Sequence, residues 1–205
     1  MDRRKFTEVI SLLSMGVLTG CSTRRVYYPG TGKTYSGSSS YGESRIMSYG
    51  SFTSGQMAGY LNSNNSRARY DSVDYIARLY IREARAEGVN HDIAFAQMCH
   101  ETKFLMFGNQ VNHWQHNYCG LGATDDGKRG LSFPDAATGV RAHIQHLKAY
   151  ASTSPLNLRL VDPRFRYVRR GSAPTIDHLA GTWASDRRYA QHLRRHLTGM
   201  KGGIS

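Results

Sequence analysis

The segment from Asn90 to Leu105 limits most severely what this chain can fold into. Asn90 is a residue type that caps helices, Asp92 falls in the first turn, and Gly108 supplies a stop, so the spacing predicts a helix with apolar residues running on to Leu105. At about 100° per residue, Ile93, Ala94, Phe95, Ala96, Met98, Cys99, Phe104 and Leu105 point in nearly every direction around its axis. A helix that is apolar on all sides is buried. Within it Gln97 and Glu101 lie one turn apart and face the same way, with His100 beside them.

Burying a carboxylate costs several kcal/mol, on the order of the desolvation penalty for one ion, unless the group is paired or neutral. Glu101 therefore has either an Arg or Lys partner from another helix or a chemical task. A carboxyl held in an apolar wall keeps its proton near neutral pH and can hand it to a substrate oxygen. His91 and His100 read as packing or surface residues. The histidines show no metal-ligand spacing, and no phosphate-loop or dinucleotide motif is present, so neither a metal nor a cofactor is expected.

Other helices follow from the same periodicity. Val73, Ile76, Leu79, Tyr80 and Ala84 form an i, i+3, i+4 stripe from Asp71 onward, closed by Gly88. Val140, Ile144, Leu147 and Ala151 mark a helix after Pro134-Asp135. Thr175 and Asp186 are N-cap types for helices around residues 176–184 and 187–197. Between them, residues 113–134 are rich in Gly, Asn and Asp, which predicts a loop or small β-hairpin lobe with a turn at Asp126-Gly127.

Ahead of the helices, Asp2-Arg3-Arg4-Lys5-Phe6, the apolar run Val9–Leu18 and Leu18-Thr19-Gly20-Cys21 read as an export signal of the lipoprotein type, with twin-arginine features and Cys21 as the lipidated residue. Residues 22–66 are dominated by Ser, Gly, Tyr and Asn and predict an unstructured tether. The chain thus divides into a signal peptide (1–20), a lipidated linker (21–68), a mostly α domain (69–200) and a tail (201–205). Lys and Arg outnumber acids 27 to 15, for a net charge of +12. That balance suits a polyanionic neighbour such as a bacterial envelope. The basic residues are scattered without a zinc-finger or RNP pattern, so nucleic acid is not expected as a partner.

Four blocks then occur in order: Ile93-Ala94-Phe95-Ala96-Gln97-Met98-Cys99-His100-Glu101-Thr102, Asn117-Tyr118-Cys119-Gly120-Leu121-Gly122, Thr138-Gly139-Val140-Arg141-Ala142-His143, and Trp183-Ala184-Ser185-Asp186-Arg187-Arg188-Tyr189-Ala190. Together they resemble the bacterial glucosaminidase family, glycoside hydrolase family seventy-three, over about residues 75–199. The resemblance implies a lysozyme-like helical fold with a small loop or hairpin lobe. It also implies cleavage of the β-1,4 bond after N-acetylglucosamine in peptidoglycan, and the export signal with Cys21 predicts a lipid-anchored place in the bacterial envelope, on a periplasm-facing membrane or the cell surface. By position it places the catalytic acid on Glu101, a cleft tyrosine on Tyr118 and a second active-site tyrosine on Tyr189. Cys119 stands where an aromatic is usual, Trp183 for a tyrosine and Arg187 for a proline, which bears on subsites.

Around that site Gln97, Asn117 and Trp114 are expected to contact substrate, with Trp183 in the core. Cys99 and Cys119 are left either as a disulfide or as two buried thiols. A second carboxylate would stand about 6.5–9.5 Å from the acid in an inverting enzyme, or about 5–5.5 Å in a retaining one. Asp135, Asp177 and Asp186 sit at helix caps and Glu83 and Glu87 on a polar side, which leaves Asp125 and Asp126. The expected route uses neither: the sugar's own N-acetyl oxygen attacks, oriented by Tyr189. A muramidase or lytic transglycosylase of the same fold, or a non-catalytic peptidoglycan-binding lipoprotein, are the alternatives.

Overall fold

A computed structural model describes residues 45–202, apart from 69, 109, 124–126 and 128, within one compact unit, Tyr41–Ser205. The signal peptide, Cys21, Asp125 and Asp126 lie outside the described residues.

The architecture is mostly helical, as expected. Among the described residues six α-helices follow in order: α1 (Ser54–Asn64), α2 (Tyr70–Glu87), α3 (His91–Glu101), α4 (Ala136–Ala151), α5 (Ile176–Leu179) and α6 (Tyr189–Gly202). Helix α2 packs on α1 and α4, and α3 on α6. Ile93, Ala94, Phe95, Ala96, Met98 and Cys99 are all buried, so α3 is the central helix its composition demanded. The predicted lobe forms irregular loop with a single 3₁₀ turn, His113–Gln115, and no strand among the described residues.

The domain begins well before residue 69. Helix α1 lies inside the stretch expected to be a tether, and it buries Met57, Ala58 and Leu61 completely. The physical signal is a capping box: Thr53 Oγ1 accepts from the Gln56 N–H, while the Gln56 side chain accepts from the Thr53 N–H. Farther upstream, Ile46 is buried and bonded to Pro174 O, and Asp92 accepts the Ser51 and Phe52 N–H groups at 2.7 and 3.1 Å. A Ser, Gly and Asn surface around three buried side chains disguises the helix.

Two acids expected on a polar side are buried instead. Glu83 pairs with Arg141 at 2.7 Å and with Arg82, and Glu87 pairs with Lys148 at 2.8 Å while accepting the Asn157 and Leu158 N–H groups. Apart from Arg82, their partners come from α4 and the chain after it, which periodicity within α2 does not reveal. Gly88, at φ +73°, ends α2 as expected, with the Val89 N–H bonded to Ala84 O.

Helix α4 carries Val140, Ile144 and Leu147 into the core behind its Asp135 cap. Gly139 is required there, because a Cβ would sit 1.8 Å from His116 O. That close approach clamps the Asn117-to-Leu121 loop against α4.

Candidate active site

Helix α3 stops four residues before Leu105, at Glu101. Lys103, Phe104 and Leu105 then adopt left-handed φ values of 50°, 57° and 62°, each costing about 1 kcal/mol for an L residue. Specific bonds hold this turn: Thr102 Oγ1 donates to Met98 O at 2.7 Å and accepts from Leu105 N at 2.9 Å, and Asn65 donates to Phe104 O at 2.8 Å. Glu101 is thereby placed at a helix end, facing a cavity of about 580 Å³. His100, Lys103, Cys119, Trp183, Asp186 and Tyr189 share its lining.

Glu101 has no cationic partner among the described residues; its neighbours are two neutral donors. Trp183 Nε1 donates to Oε1 at 3.0 Å, and the Tyr189 hydroxyl donates to the same oxygen. Burial raises the carboxyl above the usual range, and these two bonds offset part of the rise.

Tyr189 is itself buried, and it accepts from Gln97 Nε2 at 2.9 Å. Its hydroxyl proton is directed at Glu101, which makes it a support for the carboxyl. Gln97, expected to contact substrate, is wholly buried behind Tyr189 and meets His143 on its far side at 3.0 Å.

Asn117 reaches the cavity lining, but its side chain is occupied in shaping the loop. Its oxygen accepts Leu121 N at 2.9 Å, and its amide donates to Leu121 O and Leu131 O. Tyr118 packs edge-on to Tyr80 and lines a separate hollow of about 920 Å³; Phe107 lines both spaces.

The two tryptophans depart from the places expected of them. Trp114 is 55% exposed and lines neither cavity, whereas Trp183 forms part of the wall around Glu101. The cause is the early end of α5: the expected helix to residue 184 stops at Leu179, and the following turn swings Trp183 toward α3. His143, His146 and Tyr150 of α4 pack around its ring.

Asp186 combines two positions. Its Oδ1 accepts Arg188 N at 2.8 Å in the turn ahead of α6, which begins at Tyr189 and not at the expected 187, and the residue also lines the Glu101 cavity. The Arg188 N–H holds its carboxyl below the usual range. Cys99 and Cys119 are free thiols, both buried, so the disulfide alternative falls. Burial pushes both thiols up, and Cys119 further through the nearby Glu101.

A helical domain whose central helix ends in one buried carboxyl, hydrogen-bonded by neutral donors at the wall of a cavity, defines a site built around a protonatable acid. The family model described as mannosyl-glycoprotein endo-beta-N-acetylglucosaminidase matches residues 77–202, and the chain belongs to this glucosaminidase family. A protein of Borreliella burgdorferi, described as uncharacterized, is 50% identical over 125 residues, 61% of this chain and 61% of that protein. The chain thus spans about three fifths of the length of that curated relative. No solved structure matches.

Proposed function

We propose that this protein hydrolyses the glycan strands of peptidoglycan at the β-1,4 bond after N-acetylglucosamine, with Glu101 as general acid. The observation that carries the reading is Glu101 itself, a carboxyl raised by burial and exposed to a cavity in a chain of the glucosaminidase family. Protonated Glu101 gives its proton to the glycosidic oxygen as the bond to the anomeric carbon breaks. The N-acetyl oxygen of the same sugar attacks that carbon from the opposite face; water then opens the cyclic intermediate with Glu101 as base. Trp183 and Tyr189 hold the carboxyl in place through both protonation states.

Mass spectrometry of digested cell walls tests the reading. N-acetylglucosamine at the new reducing ends is expected. N-acetylmuramic acid or its anhydro form would assign a muramidase or a lytic transglycosylase, and no new ends would assign a binding protein. Export and lipidation at Cys21, with the domain held on a membrane of the envelope, belong to the same proposal. Cys21→Ser is expected to release the protein from membranes with activity on isolated walls retained.

A further inference from the structure

Behind Glu101 runs a line of buried side chains drawn from three other positions in the fold. We propose, building on the reading of Glu101 as the proton donor, that Tyr80, His143 and Gln97 are positioning residues. Acting through Tyr189, they keep Glu101 Oε1 as a hydrogen-bond acceptor, so that the transferable proton sits on Oε2.

The contacts form one unbranched chain. Tyr80 Oη lies 2.8 Å from His143 Nδ1, His143 Nε2 lies 3.0 Å from Gln97 Oε1, Gln97 Nε2 donates to Tyr189 Oη at 2.9 Å, and Tyr189 Oη donates to Glu101 Oε1. Tyr80, His143 and Gln97 are 0% exposed, so solvent offers them no substitute partners. Each has a limited inventory of protons, and a choice at one end therefore propagates to the other.

Two directions are chemically self-consistent. In the first, Tyr80 donates to Nδ1, His143 carries its proton on Nε2, and every later group donates toward Glu101. In the second, Gln97 is turned over, Glu101 Oε1–H donates to Tyr189, and His143 carries its proton on Nδ1. Trp183 separates them. An indole N–H is a donor only, and it already points at Oε1 from 3.0 Å. The carbonyl-type oxygen of a carboxylic acid is the better acceptor, so the proton belongs on Oε2.

His143 serves this arrangement by being neutral. Burial lowers its pKa to about 3, with His146 contributing in the same sense. The titratable or charged groups facing His143 are Tyr80 from α2 and His146 from α4. Those around Glu101 are Tyr189 from α6, Asp186 ahead of α6, His100 and Lys103 at the end of α3, and Cys119 from the loop. When Glu101 ionises, two donors already face Oε1, and the new charge needs no reorganisation of the protein.

Nitrogen-15 NMR of the histidine rings in the full chain reads the direction without any turnover, and so separates this inference from the glycosidase reading. A neutral His143 ring with its proton on Nε2 is expected at pH 7 and at pH 5. A proton on Nδ1, or a charged ring at pH 5, would overturn the proposal. Carbon-13 titration of the Glu101 carboxyl in Gln97→Met and in the milder Tyr80→Phe supplies the second readout. Loss of Gln97 weakens Tyr189 as a donor to the ionised carboxylate, so the titration moves to higher pH, more in Gln97→Met than in Tyr80→Phe. On cell walls, kcat of Gln97→Met is expected to fall about tenfold with KM unchanged, its alkaline limb moving with the carboxyl. A folded Tyr80→Phe or Gln97→Met chain whose Glu101 titration stays at the parental pH would refute the assignment.

Discussion

At Glu101, desolvation and hydrogen bonding act in opposite directions, and desolvation is the larger. Between the ordinary carboxylate pKa and the raised one, the folded chain holds a proton that the unfolded chain has released. Stability therefore declines as pH climbs through that window. Glu101→Gln removes the titration while keeping an oxygen for Trp183 and Tyr189 to bond. It is expected to melt higher than the parent at pH 7 and to lose about 10²–10⁴-fold in wall hydrolysis. An active variant would end the assignment of Glu101 as the acid. The thiols make a second residue-scale case: buried and unactivated, Cys99 and Cys119 should resist iodoacetamide in the native protein and both react once it is unfolded without reductant. Failure of either to react in the unfolded chain would restore the disulfide.

Two elements carry consequences of their own. Helix α1 contributes Met57, Ala58 and Leu61 to the core that α2 closes. Leu61→Ala is therefore expected to destabilise the domain by about 2–5 kcal/mol, and a chain starting at residue 69 to lose cooperative unfolding that one starting at residue 45 retains. Calorimetry of the two shortened chains decides this. The left-handed turn after Glu101 depends on the Thr102 hydroxyl, which both donates and accepts. Thr102→Val keeps the shape and removes both bonds. It should cost about 1–3 kcal/mol in urea unfolding, with a fall in kcat as Glu101 loses its fixed position.

Across the whole molecule, acid is expected to unfold the domain through its buried histidines. Burial lowers His143 to about 3 and His196 to about 4, the latter also through His100 and His192. Below the ordinary histidine pKa near 6.5 the unfolded chain binds protons that the folded one refuses, so stability drops as pH falls from about 6.5 toward 4 and then 3. Urea midpoints at pH 7, 5.5 and 4.5 should fall in that order. A flat series would mean these rings are charged in the fold.

How much of this was legible beforehand varies with the kind of interaction. The all-apolar surface of α3 made both its central place and the exceptional standing of Glu101 readable, because periodicity reports burial directly. The Asn90 and Asp135 caps and the Gly88 stop were readable too, since each acts on backbone a few residues away. Helix α1 was hidden because three buried side chains are too few to outweigh a Ser, Gly and Asn composition. Its capping box at Thr53 and Gln56 was nevertheless present in the letters. The Arg141 partner of Glu83, the partners of Glu87 and Gln97, the placing of Trp183 on the cavity wall, and the placing of Tyr118 outside the Glu101 cavity belong to the tertiary structure alone. Each depends on where a residue more than 30 positions away arrives, or on a helix such as α5 ending early, and local spacing holds no record of either. The sequence by itself determined which helix is central and which carboxyl is anomalous; the packing of α4 and α6 around α3 decided what that carboxyl touches.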